Sequence, residues 1–174
     1  MPTTMPHAVQ FYQDDVFLIE SVSDFIKSGL EENATVIIVA TESHRKDLQR
    51  SFEDSRPGMF ETKVMFFDAS EMLSIFMRDG WPNKTLFVHE VGRIVQQAAL
   101  NGPVRIFGEM VALLWAQGNV RAAIRLEELW NDLATQYRFS LLCAYPKSGF
   151  SNQKDNDYFL QVCQTHTHVH TSNR

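Results

Sequence analysis

The run Ala34-Thr35-Val36-Ile37-Ile38-Val39-Ala40 limits what this chain can fold into more than any other stretch of it. It is apolar almost throughout, so a strand made from it has no polar face to turn towards water. Strands of this kind lie inside parallel sheets that carry helices on both faces.

The flanking sequence repeats the theme. Residues 7–12 read as a first strand, and Asp14 or Asp15 caps a helix whose apolar face is Leu18, Val22, Phe25 and Ile26. Gly29 followed by Leu30 reads as the left-handed stop of that helix. A short helix over 42–54 leads to a turn at Arg56-Pro57-Gly58 and a third strand over 64–67 that ends at Asp68. Asp68 and Glu71 have capping-box spacing and open a helix through Met77. Gly80-Trp81-Pro82-Asn83 breaks the chain before a longer helix to about Asn101, with Phe87, Val91, Ile94, Val95 and Ala98 on one face. A fourth strand covers 104–107. Two helices parted at Gly118-Asn119 follow it, then a fifth strand over 139–145 and a polar loop over 147–156. A last helix spans 157–164. The expected architecture is one three-layer α/β domain over residues 1–174, with a mainly parallel sheet of about five strands and a loose tail at 165–174.

Composition narrows the function. A net charge of −5 and short basic clusters such as His44-Arg45-Lys46 argue against direct nucleic-acid binding. No apolar run approaches the ~20 residues a membrane helix needs, and the first residues lack a signal core. Cys143 and Cys163 are too few for a disulfide framework. A reduced, cytoplasmic protein is the expectation.

In parallel sheets, ligands sit outside the carboxyl ends of the strands. That rule selects Tyr12, Asp14, Thr41, His44, Asp68, Glu109 and Tyr145 as candidate ligand-binding residues. Gly108 permits a sharp turn before Glu109, and a carboxylate there needs a donor. Arg105 lies on the same strand face and is expected near Glu109, or paired with Glu127 or Glu128. Trp81 and Trp115 are expected on the apolar side of this site. Asp68 reads first as a helix cap and only secondarily as a metal ligand.

Other chemistries are poorly supported. A phosphate-binding loop needs glycines followed by lysine and a hydroxyl, and no Gly-Lys dipeptide occurs. Gln13-Asp14-Asp15 after the first strand would repel phosphate. No G-x-S-x-G elbow occurs, and neither His44 nor His89 has an evident nucleophile beside it. Cys163, His166 and His168 are a weak metal alternative, since all three lie in one terminal segment.

The whole pattern resembles the MEDS domain, the methanogen/methylotroph DcmR sensory domain. The resemblance rests on 7–12 (HAVQFY) with Asp14-Asp15, 36–41 (VIIVAT) with His44-Arg45, Asp68-Ala69, Gly80-Trp81-Pro82, 104–110 (VRIFGEM), 125–131 (RLEELWN) and 141–146 (LLCAYP). The tail around Cys163, His166, Thr167, His168 and Val169 also has the family's look. The resemblance implies a non-catalytic sensory domain on a RecA/KaiC-like sheet without a working phosphate loop and without a cofactor. It implies a small organic ligand and a signalling partner in trans, a histidine kinase or transcriptional regulator. A homo-oligomer is compatible with it. A protein–protein adaptor without a small ligand and a divergent nucleotide-handling enzyme are the competing readings.

Overall fold

The computed structural model describes residues 7–55, 63–150 and 155–171. The expected turn at 56–58 and part of the expected loop, 151–154, lie outside the described residues.

The described chain is an α/β domain with one fully parallel six-stranded sheet. Its elements are β1 (His7–Tyr12), α1 (Asp15–Glu31), β2 (Thr35–Ala40), α2 (Glu42–Ser55), β3 (Val64–Asp68), α3 (Ala69–Phe76), β4 (Met77–Arg78), β5 (Trp81–Pro82), α4 (Lys84–Ala99), β6 (Val104–Gly108), α5 (Met110–Ala116), α6 (Val120–Ala134), β7 (Ser140–Pro146), α7 (Asp155–Thr165) and β8 (His168–Thr171). The sheet order is β3-β2-β6-β7-β1-β8. Burying an Ile or Val fully stabilises by roughly 1.5–3 kcal/mol, and all six residues of β2 are buried, which is why this strand is interior.

Alternation splits the core between the two faces. Val36, Ile38, Phe107, Leu142 and Tyr12 pack beneath α1 and α2, through Leu18, Val22, Ile26, Leu48 and Phe52. Val9, Phe11, Ile37, Val39, Ile106, Cys143 and Tyr145 face α3 to α7 on the other side. The chain therefore leaves β2 towards one face and the adjacent β6 towards the other, which opens a crevice between their carboxyl ends.

The structure corrects several local expectations. Gly29 is an interior residue of α1, and the left-handed position is Asn33, φ 60°. A Cβ on Gly29 would stand 2.9 Å from both Arg105 Cδ and Val36 Cγ2, so this glycine exists for close packing. Gly108 has no left-handed φ and no atom near a would-be Cβ, so the turn into α5 does not depend on it. The break at 80–83 is a small hairpin, β4 against β5. Asp79 (φ 51°) and Gly80 (φ 74°) form its two-residue tip, the left-handed pair that a twisted hairpin favours.

The tail is the largest difference. The expectation of a loose segment at 165–174 fails for 168–171, which add β8 to the sheet beside β1. Thr167 N donates to His7 O at 2.8 Å, His7 N donates to Thr167 Oγ1 at 2.9 Å, and His166 is buried. Residues 147–150 form a 3₁₀ turn rather than open loop.

Candidate functional site

The crevice between β2 and β6 holds a compact polar network. Glu109, the residue after β6, is 2 % exposed. Its Oε2 accepts from Thr41 N at 2.9 Å, and its Oε1 lies 2.6 Å from His44 Nδ1. His44 sits in the first turn of α2, with its other ring nitrogen 3.2 Å from Asp15 Oδ1 at the start of α1. An imidazole between two carboxylates donates from both nitrogens only as the cation. The hydrogen bond to Glu109 outweighs the opposing effect of burial and, with Asp15, raises the His44 pKa to about 9. Tyr12 ends β1 on the same face. Burial pushes its hydroxyl upward, reinforced by the charges of Glu109 and Asp15.

The other sequence candidates scatter around this network. Asp14 caps α1, accepting from Phe17 N at 2.8 Å. Asp68 caps α3, accepting from Glu71 N at 3.0 Å, and pairs with Arg45 of α2 at 2.8 Å. Bonds from Ser70, then Glu71 N, then Arg45 hold its pKa down at about 2. Acids thus occupy the start of α1, where a phosphate loop would need backbone donors and a lysine. Trp115 and Tyr145 are buried on the opposite face of the sheet, in edge-to-face contact at 5.7 Å. Trp115 Nε1 donates to Gly149 O at 2.8 Å. Trp81 lies on the hairpin and is 47 % exposed.

Arg105 is not in the network. It shares a strand face with Glu109, as expected, but four residues at ~3.3 Å each put it at the other end of β6. Its guanidinium stacks on Phe25 at 4.3 Å and stands 3.9 Å from Glu32, not beside Glu127 or Glu128. Arg105 forms one wall of a groove of about 510 Å³ with Phe25, Asp24, Gln10, Leu142, His168 and His170. Its Nε is buried without a hydrogen-bond partner.

A second buried cluster lies under α6, on the sheet face opposite the groove. Glu127 is fully buried, and its Oε1 accepts from Tyr145 OH at 2.8 Å. Its Oε2 lies 2.9 Å from His7 Nε2, 2.9 Å from His166 Nε2 and 3.5 Å from Cys143 Sγ. Burial pushes the Glu127 carboxyl up, but the neighbouring imidazoles hold it well below the usual range. Burial and Glu127 together push the Cys143 thiol up. These are residues that could hold a metal: His7, Glu127, Cys143 and His166 bring their ligand atoms within 4.8 Å of one another. Of the weak tail set, only His166 is here. His168 is exposed and points at Thr167 Oγ1, and Cys163 is half-buried elsewhere.

Sequence reasoning missed this cluster and the groove. The available signal was Glu127 itself, a carboxylate within the buried helical stripe of Leu126, Trp130 and Leu133. A charge there must find partners inside.

A family model described as MEthanogen/methylotroph, DcmR Sensory domain matches residues 6–167. The chain belongs to the MEDS family. The match runs from the residue before β1 to Thr167, so it takes in the Glu109 network, the buried cluster and most of the groove wall. MEDS is a family of sensory domains, and the parallel sheet broadly fits a RecA/KaiC-like architecture. No curated protein matches this sequence. Among the described residues no helix is long and apolar enough to cross a membrane.

Proposed function

We propose that this MEDS domain binds a small organic molecule in the groove beside Arg105 and relays its presence to a signalling partner through α1, without catalysis. The observation that carries the reading is the groove itself. Its volume of about 510 Å³ suits a small ligand, its walls are mainly apolar, and a cation with an unpartnered buried nitrogen stands in one of them. An apolar body with one acceptor, such as a short carboxylic acid or amide, matches that lining. Burial disfavours the Arg105 charge, and an acceptor on such a ligand offsets that cost.

The relay follows from the position of α1. Ser21, Asp24, Phe25 and Ser28 on this helix line the groove, and Asp15 at its start touches His44 of the Glu109 network. A ligand that shifts Phe25 moves the same rigid helix that holds Asp15. The pair at the carboxyl edge is then the reporting end, and the exposed start of α1 is the surface presented to a histidine kinase or transcriptional regulator.

Native mass spectrometry of the purified protein, followed by thermal-shift titration with short acids, amides and alcohols, tests the reading. A bound small molecule, or a saturable rise in Tm that Arg105→Met abolishes, is expected. A flat response to every compound, or a response unchanged in Arg105→Met, overturns it.

A further inference from the structure

We propose that His7, Glu127, Cys143 and His166 form a buried metal site for a borderline divalent cation, zinc above all, that fastens the tail to the sheet. The inference is independent of the ligand groove and rests on how the surrounding hydrogen bonds aim four ligand atoms at one point.

Asn131 Nδ2 donates to Thr165 O at 2.7 Å, which fixes its amide so that Oδ1 faces His7 Nδ1 at 2.7 Å. His7 therefore carries its proton on Nδ1, and in the neutral ring Nε2 is a lone pair. The same logic holds for His166. Its Nδ1 lies 2.5 Å from Val162 O, a carbonyl that can only accept, so Nδ1 carries a proton and in the neutral ring Nε2 is again the lone pair. Tyr145 occupies Glu127 Oε1 and leaves Oε2 turned inward. Two imidazole Nε2 atoms, a carboxylate oxygen and a sulfur thus converge on one point beneath α6. His166 Nε2 is 2.9 Å from Glu127 Oε2 yet makes no aligned hydrogen bond, and its side chain is 0 % exposed.

A cation at the point where such atoms converge in a dry interior takes the place of any ring proton on Nε2, which passes to solvent. Outer acceptors on Nδ1 that orient an imidazole with Nε2 inward are the usual supports of histidine ligands. Zinc bonds of about 2.0–2.1 Å to nitrogen and oxygen and about 2.3 Å to sulfur imply ligand–ligand edges near 3.3–3.6 Å in a tetrahedron. The separations of 2.9 Å and 3.5 Å reach those edges after movements of a few tenths of an ångström, and the widest pair of ligand atoms, within 4.8 Å, closes by about an ångström. The charges also balance. On binding, the Cys143 thiol gives its proton to solvent, and one thiolate with one carboxylate neutralises a divalent ion. Four protein ligands leave no open position, so the site is structural. His7 begins β1, Cys143 is mid-β7, Glu127 is on α6 and His166 precedes β8, so the ion ties the tail to three elements.

Elemental analysis of the full chain purified without a metal-affinity tag should find about one zinc per chain. Cobalt added after chelation should give the intense ligand-field bands of a tetrahedral ion and a thiolate charge-transfer band. Cys143→Ser should lose the charge-transfer band, while Cys163→Ser/His168→Ala/His170→Ala should keep it. Circular dichroism establishes that each variant is folded. If Cys143→Ser does not fold, the stoichiometry and cobalt spectrum of the unaltered protein decide alone. Folded protein without stoichiometric metal and without tetrahedral cobalt bands overturns the proposal. So does binding that disappears with the tail substitutions.

Discussion

Removing both partners of the carboxyl-edge pair, Glu109→Gln with His44→Gln, should erase a specific part of the pH dependence of stability. The double change avoids leaving a buried charge alone, which would add its own penalty. His44 is raised from 6.5 to about 9 in the folded protein, so the native state binds more protons than the unfolded one and stability falls as pH rises. Glu109 just after β6, Asp15 from α1 and Tyr12 from β1 are the titratable groups around it, and Tyr12 titrates too high to intervene. Integrating between those pKa values, the pair contributes up to about 3 kcal/mol below pH 6.5, about 2 kcal/mol near pH 7.5 and under about 0.5 kcal/mol above pH 9. Urea unfolding of both proteins at several pH values reads the difference directly, because other groups titrate alike in both. A difference that stays constant from pH 6 to pH 9.5 would refute the assignment of a cationic His44 between two carboxylates.

Three further outcomes follow from the packing. Gly29→Ala gains about 1 kcal/mol of helix propensity but meets Arg105 Cδ and buried Val36 at 2.9 Å, and overpacking of about 1–3 kcal/mol should prevail. A more stable Gly29→Ala variant in urea titration contradicts this account of α1. Tyr145→Phe removes the donor to Glu127 Oε1 and should destabilise by about 1–3 kcal/mol, visible as a lower urea midpoint at unchanged slope. A midpoint equal to that of the unaltered protein would mean that Oε1 finds another donor. Truncation after Thr165 deletes His166 and β8, leaves Glu127 less compensated and should destabilise by at least about 3 kcal/mol, a fall in Tm of about 6 °C or more. A Tm within a degree of the full chain would show that the ordered tail contributes nothing.

The sequence by itself determined the fold class. Periodicity is local: residues 34–40 are apolar on both faces wherever they are placed, so they require a covered parallel strand, and the helices between strands follow from the spacing of Leu18, Val22 and Ile26 or Phe87, Val91 and Val95. Topology then made Glu109, Thr41, His44 and Tyr12 legible as neighbours, because strand ends in a parallel sheet meet at one edge. Parity placed Arg105 on the face of Glu109 but carries no information about position along the strand, and the tertiary structure set the two at opposite ends of β6. The tail lies beyond the reach of local rules as well. His166, Thr167 and 168–171 are polar apart from Val169 and unremarkable in spacing, and their order depends on bonds to His7 about 160 residues away. The convergence of His7, Glu127, Cys143 and His166 was decided the same way. Four residues, from β1, α6, β7 and the link before β8, meet only after β7 lies beside β1 and α6 closes over both, and no one-dimensional spacing encodes that meeting.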